Sequence, residues 1–262
     1  MSSGFSARSA EGYEQMMGRW SRKLARGFVD FAGQRPGEAI LDVGCGTGSL
    51  TYTLAEMAGH GPLTGIDVAE PYLAYARSRS AGEDISFQRA DATDLPFGDG
   101  AFDRALSCLV LQFTPDPAKA LSEMARVVRP GGVVAACVWD SYGGMPHLRL
   151  LWDTASALGL DRDRSLFRPM STDGEMAAAW RAEGLRDVVQ DTLVMRFTFE
   201  DFDDYWSPFL GGDGPAGQFV AGLGEADCDR LRAQARHVFL SGRPDGRRSF
   251  VAAAWACRGV VM

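Results

Sequence analysis

Residues 40–48 read Ile40-Leu41-Asp42-Val43-Gly44-Cys45-Gly46-Thr47-Gly48, and Ser49-Leu50-Thr51-Tyr52 follow at once. An apolar, strand-like run thus ends in glycines at alternate positions, and a helical pattern begins directly after them. Glycine lets the backbone turn tightly and lets a ligand come within contact distance of the strand's carboxyl end. Purely structural strand-to-helix turns also collect glycines. The surroundings of the run therefore decide how it is read.

Downstream, strand-like stretches at 39–43, 62–68, 85–90, 102–108 and 133–139 alternate with helical ones at 49–58, 70–80 and 117–128. Such alternation predicts a parallel sheet with helices on both faces. Upstream, Tyr13, Met16, Met17, Trp20, Leu24, Phe28 and Phe31 fall at helical spacing and predict two short helices, ended by the Gly33 to Gly37 stretch with Pro36. Past Trp139 the pattern loosens into a helix at 147–157, a Pro- and Arg-containing loop and a helix at 173–183. Two last strands, at 187–197 and 249–257, bracket an aromatic stretch (199–209), a glycine-rich one (211–217) and a helical one (226–240). The bracketed segment is the expected lid or substrate-recognition insert, about residues 198–245.

Composition narrows the function. Of 262 residues, 46% are hydrophobic and 23% charged, ordinary globular usage. Lys and Arg total 27 against 34 Asp and Glu, a formal net charge of -7, which repels a phosphate backbone and disfavours a nucleic-acid partner. Cys45, Cys108, Cys137, Cys228 and Cys257 are scattered, without a C-x-x-C pair, so neither zinc nor a disulfide framework is expected. The start of the chain lacks a basic, then apolar, targeting pattern, and no apolar run reaches membrane-spanning length. A cytoplasmic location without a membrane partner is the default expectation.

The strand after the glycine run ends in Gly65-Ile66-Asp67, placing a carboxylate where it can accept bonds from both ribose hydroxyls of a nucleoside. Asp67 can equally cap the helix that begins near Glu70, and the two roles are compatible. A third strand end follows in Arg89-Ala90-Asp91-Ala92-Thr93-Asp94-Leu95-Pro96-Phe97. Nicotinamide dehydrogenases share the glycine loop and the ribose acid. Their fingerprint, however, is G-x-G-x-x-G, and position 49 here is Ser49.

Together these pieces resemble class I S-adenosylmethionine-dependent methyltransferases, particularly the group that includes ubiquinone/menaquinone-biosynthesis enzymes. The resemblance covers about residues 10–140. It rests on 41–48, 65–67, 90–97 and 102–113, and on the string Glu123-Met124-Ala125-Arg126-Val127-Val128-Arg129-Pro130-Gly131-Gly132. It implies a Rossmann-like, seven-stranded, mostly parallel sheet whose last strand is antiparallel. It also implies N-terminal helices (1–35) over the cofactor, a cofactor-binding core (36–140) and a C-terminal part (141–262) carrying the insert. In this reading the Gly44 and Gly46 backbone faces the methionine part of S-adenosylmethionine and Asp67 the ribose, with Asp42, Cys45 and Val68 also binding the cofactor. Asp91 and Ala92 lie at the adenine edge, Ser107 and Leu109 near the sulfonium, and Trp20 in a covering segment (13–22). Met17 and Trp20 also suit the core face of an amphipathic helix.

Methyl transfer from a sulfonium needs positioning and exclusion of water more than a dedicated nucleophile. An oxygen or nitrogen acceptor can still need a base. Gln112, Asp140, Tyr142, His147 and His237 are the candidates, with His147 preferred because it follows the fifth strand's end. Ser107-Cys108-Leu109-Val110 stands where amino-methylating relatives carry Asn/Asp-Pro-Pro-Tyr, which disfavours methylation of a base or a glutamine amide. No carboxylate cluster accompanies Asp103 and Asp140, so metal-independent transfer to a small, partly apolar molecule is expected. A protein that keeps the cofactor pocket without catalysing is the alternative from a different class.

Overall fold

The computed structural model describes residues 10–56, 59–79, 84–160, 168–212 and 214–262. The expected helix ends at 57–58 and 80, part of the loop after 157, and residues 1–9 of the N-terminal piece lie outside the described residues. Strands β1 (Ile40–Val43), β2 (Leu63–Asp67), β3 (Ile85–Arg89), β4 (Phe102–Cys108), β5 (Val128–Trp139), β6 (Arg186–Phe199) and β7 (Arg248–Val260) form one seven-stranded sheet in the order β3-β2-β1-β4-β5-β7-β6. β1 pairs in parallel with β2 and β4, while β7 runs antiparallel to both β5 and β6. After β3 the chain crosses to the other side of β1. The carboxyl ends of β1 and β4 therefore flank a topological switch point, where open α/β sheets bind ligands.

Alternation along the strands sorts the core into two layers. Ile40 and Leu106 face the side covered by the helices α2 (Arg19–Ala32), α3 (Ser49–Ala55) and α6 (Pro146–Ala157). Leu41, Val43 and Ala105 face the side covered by α5 (Pro117–Arg126) and α7 (Glu175–Ala182). All four residues of β1 are buried, as a central parallel strand covered on both faces requires. Local chemistry fixes the helix ends. Asp116 accepts the Lys119 amide at 2.9 Å ahead of Pro117, and Gly33, at φ 69°, closes α2. The helix α4 (Glu70–Arg79) connects β2 to β3.

Besides β5, which begins at Val128 and not at 133, two expectations about element boundaries change. The N-terminal pair of helices is one unbroken run, in which α1 (Ala10–Tyr13) passes through a π-helical turn (Glu14–Gly18) into α2. The turn carries Glu14 back towards the glycine loop, where its carboxylate meets the Thr47 hydroxyl at 2.5 Å and pairs with Arg22. Gly18 leaves room for this arrangement, since a Cβ there would meet the Glu14 carboxylate and make it swing aside. β6 and β7 extend beyond 187–197 and 249–257 because they pair with each other from Arg186↔Val260 to Phe199↔Arg248. The insert leaves from the end of that long ribbon and holds α8 (Phe202–Trp206), α9 (Gly214–Ala221) and α10 (Glu225–Leu240).

Candidate functional site

The glycine run turns as its composition demands. Gly44, Gly46 and Gly48 have φ of 76°, 54° and 87°, a region that side-chain-bearing residues avoid. The Gly44 and Cys45 amides both donate to the Ile66 carbonyl at 2.8 Å, tying the turn to the end of β2. A Cβ on Gly44 would overlap the Val110 side chain, so the turn and the loop after β4 close on each other. Just before the turn, Asp42 is 2% exposed. Its Oδ2 accepts the Thr51 hydroxyl at 2.6 Å, and its Oδ1 has no partner. Burial pushes its pKa up to about 7 against the opposing Thr51 hydroxyl. Ser49 Oγ is likewise buried without a partner.

Asp67 ends β2, with Oδ2 accepting the Gly46 amide at 2.9 Å and Oδ1 the Ala69 amide at 2.8 Å. Both readings of this residue therefore have a physical basis: it braces the local backbone and leaves a carboxylate on the crevice. Burial raises its pKa, against those backbone bonds. Asp91 shapes the next loop by accepting both the amide and the hydroxyl of Thr93 at 2.8 Å. The string around Glu123 clamps that loop from behind. Glu123 accepts the Leu95 amide at 2.9 Å, while Arg126 donates to the Leu95 and Phe97 carbonyls and to Glu123 itself. The Arg126 guanidinium holds the Glu123 carboxyl down at about 2.

These strand ends open onto one cavity of about 750 Å³, within the usual size range of small-molecule sites. Of the residues expected at the cofactor, Trp20, Asp42, Gly44, Cys45, Gly46, Asp67, Val68, Asp91, Ala92 and Leu109 all line it. Ser107 does not. Its hydroxyl turns to the Val43 carbonyl at 2.9 Å, fully buried between strands, and the next residue, Cys108, forms the wall. Cys108 is the register partner of Cys137, and their free thiols lie 3.5 Å apart. Leu109 adopts φ 66° as the chain leaves β4, with its amide on the Cys137 carbonyl. Trp20 combines its two readings, since it packs on Phe197 at 4.7 Å and also faces the cavity.

The far end of the cavity is aromatic. Trp139, Met145, Trp152, Phe199, Tyr205 and Phe209 contribute to its wall, along with Pro215 and Ala216 of the insert. Tyr205 packs edge-on to Phe199 and Phe209 and stacks on Phe239, which anchors the insert to the sheet. Of the five base candidates only Gln112 and His147 reach the cavity. Asp140 instead accepts the Tyr142 and Gly143 amides, Tyr142 is 53% exposed, and His237 lies on α10 beside a separate shallow groove. Sequence reasoning missed Trp139, Met145 and Trp152 as wall residues. The apolar face of the 147–157 helix was the available signal, but nothing in it says whether that face meets a core or a cavity.

Among the described residues no group of three or more His, Cys, Asp or Glu is placed to hold a metal ion. Among them, too, no helix is long and apolar enough to cross a membrane. The unpartnered Asp42 Oδ1 and Ser49 Oγ, beside a turn with no room for a Cβ at Gly44, fit a ligand bearing a cationic amine. The carboxylate of Asp67 fits a diol. The residues present thus fit S-adenosylmethionine.

Comparison with known proteins bears on the same residues. The family described as "Methyltransferase domain" matches residues 41–136. The chain is 38% identical over 117 residues to the ubiquinone/menaquinone biosynthesis C-methyltransferase UbiE of Bdellovibrio bacteriovorus, covering 44% of this chain and 48% of that one. It is 33% identical over 177 residues to the malonyl-[acyl-carrier protein] O-methyltransferase of Pseudescherichia vulneris, covering 67% and 66%. The match to the first of these relatives thus spans about half of its length. In fold the chain is similar to phosphoethanolamine N-methyltransferase 2 of Haemonchus contortus in complex with phosphomonomethylethanolamine and S-adenosylhomocysteine. That likeness has a TM-score of 0.60 at 15% identity, over 97% of this chain and 57% of the other. With the glycine turn, the Asp67 carboxylate and the switch-point crevice in place, the chain belongs to the class I S-adenosylmethionine-dependent methyltransferases, in the ubiquinone/menaquinone-biosynthesis-type group.

Proposed function

We propose that the protein transfers a methyl group from S-adenosylmethionine to a small, partly apolar acceptor by in-line displacement, without a metal ion. One observation carries this reading: a single cavity runs from the glycine turn of β1 to the aromatic wall of the insert. It offers a cofactor end and an acceptor end in one continuous space. When bound, S-adenosylmethionine supplies the activated methyl group. The chain's own residues supply position and dryness.

In this reading Asp42 holds the amino group of the methionine part, Asp67 the ribose and the 91–97 loop the adenine edge. The N-terminal helices and the 198–245 insert cover the crevice from two sides. They are joined there by the ion pair of Arg19 with Asp204 at 2.9 Å. Four acids of the insert, Glu200, Asp201, Asp203 and Asp204, stand against a nucleic-acid acceptor.

Calorimetry tests the cofactor half, with S-adenosylmethionine and S-adenosylhomocysteine expected to bind and NAD expected not to. Binding of NAD alone would overturn the reading. Incubation with methyl-labelled donor and a panel of small aromatic acceptors tests the transfer. Labelling is expected to survive EDTA; loss on chelation with recovery on adding magnesium contradicts the metal-independent route.

A further inference from the structure

Two polar groups at the acceptor end have no task in the cofactor reading. Gln112 sits in the turn Leu111–Phe113 that follows β4; it is 4% exposed, and its Oε1 has no hydrogen-bond partner. His147 sits in the first turn of α6 beyond β5; it too is 4% exposed, and its Nδ1 has no partner. Both line the cavity, on segments that leave the carboxyl ends of neighbouring strands. Buried polar atoms are nearly always hydrogen-bonded. Two orphans on the wall of one cavity point to a ligand with a polar group of its own.

The wall holds His147 in place. Its ring stacks on Phe197 with centroids 4.1 Å apart, and its backbone carbonyl accepts the Tyr205 hydroxyl at 2.9 Å. Burial pushes its pKa down to about 3, so the imidazole is neutral and presents one lone pair and one N–H. The described carboxylates on the cavity wall, Asp42, Asp67 and Asp91, belong to the cofactor end. Arg168 and Arg149, the latter paired with Asp153 at 2.9 Å, also line the cavity. A protonated amine beside Gln112 and His147 therefore finds no wall carboxylate among the described residues to pair with, whereas an uncharged hydroxyl can donate to one orphan and accept from the other.

We propose that Gln112 and His147 form a specificity pair, and that the acceptor is a neutral, largely apolar molecule recognised through one hydroxyl group that donates to Gln112 Oε1 and accepts from the Nδ1–H of the His147 imidazole. The proposal rests on the methyltransferase reading, because it takes the other end of the cavity to be filled by the cofactor.

The test uses protein saturated with S-adenosylhomocysteine and three fluorescent probes of one shape: 2-naphthol, 2-methylnaphthalene and 2-naphthoate. The hydroxyl is expected to give 2-naphthol about a tenfold tighter binding than the methyl isostere. Gln112→Leu and His147→Phe, near in shape and unable to hydrogen-bond there, are each expected to shrink that ratio several-fold. Both variants should keep the parent's affinity for S-adenosylhomocysteine, which also reports that they fold. A purely structural role would lower binding of all probes together and leave their ratio alone. Failure of 2-naphthol to bind, equal binding of the two neutral probes, a preference that survives both substitutions, or tightest binding of 2-naphthoate overturns the proposal. Failure of the parent protein to bind S-adenosylhomocysteine overturns the methyltransferase reading instead.

Discussion

The two ends of the cavity are built by different means. The cofactor end is made of backbone: three positive-φ glycines between residues 44 and 48, fixed by amide bonds to the Ile66 carbonyl, with carboxylates at 42 and 67. The acceptor end is made of side chains drawn from 112, from 139–152 and from the insert, and held by ring packing around Tyr205. A site made of backbone tolerates few alternatives, because three positive φ angles within five residues cost any residue type but glycine strain. A site made of packed rings can be rebuilt with other rings. The family match accordingly covers 41–136 and stops short of the insert.

If that contrast is right, the largest single effect belongs to Gly44. Gly44→Ala forces a Cβ into the Val110 side chain at a backbone angle that alanine resists. Strain and overpacking together cost the native turn about 3 kcal/mol; the free variant relaxes out of that conformation and binding has to restore it, an expected loss of more than a hundredfold in affinity for S-adenosylhomocysteine. Calorimetry with a parallel thermal melt checks it. Affinity within threefold of the parent would show that the turn has slack and that backbone is not what builds this end.

Asp67→Ala comes next, with an expected loss of about 1.5–3 kcal/mol in cofactor binding, the range for hydrogen bonds to a charged group. The same carboxylate also supports the Gly46 and Ala69 amides. Unchanged affinity in a folded variant would reduce Asp67 to that bracing role and leave the ribose to other groups.

Legibility follows the same division. β4 falls where alternation placed it, at Phe102–Cys108, and β1 to β5 pair in parallel as the alternation with helices predicts, while the order of the strands was not read from the sequence. Ten of the eleven residues expected at the cofactor reach the cavity. Ser107 fails by strand parity: successive side chains point to opposite faces, so an error of one position exchanges a wall residue for a buried one bonded to Val43. The unbroken N-terminal helix was hidden because its π turn depends on Glu14 reaching Thr47, a contact across 33 positions. His147 was found by its place after β5, but its stacking on Phe197 and its neutrality come from packing that no local pattern encodes.

The next contrast is between titrating and non-titrating ends. Asp42 titrates near 7 because burial disfavours its charge, and a cationic ligand amine favours that charge. Ligand binding therefore lowers its pKa, and affinity is full above about 7 and falls as pH drops through it. A decrease of about tenfold at about pH 6 is expected for S-adenosylhomocysteine. Asp42→Asn should bind more weakly at neutral pH and show a flat profile from about pH 5 to 7. A profile that persists in the variant would move the titration to another group, with Asp67 first in line. His147, held near 3, contributes nothing in this window.

The smallest effect on the cofactor is expected from Tyr205→Phe, and its smallness is the point. The substitution removes one hydroxyl, bonded to the His147 carbonyl at 2.9 Å, and leaves every ring contact of Tyr205 in place. Because both groups are buried, the carbonyl loses its bond without gaining water, a cost of about 1–2 kcal/mol to the fold. That corresponds to a few degrees in the thermal midpoint. Affinity for S-adenosylhomocysteine should stay within about twofold, since the lost bond lies at the end of the cavity that the cofactor does not occupy. The two halves of this outcome separate the possibilities. A melt shift with constant affinity supports two ends that are built and lost independently. A large loss of cofactor affinity would mean that the aromatic wall also sets the glycine turn, and the division between a backbone end and a side-chain end would fall.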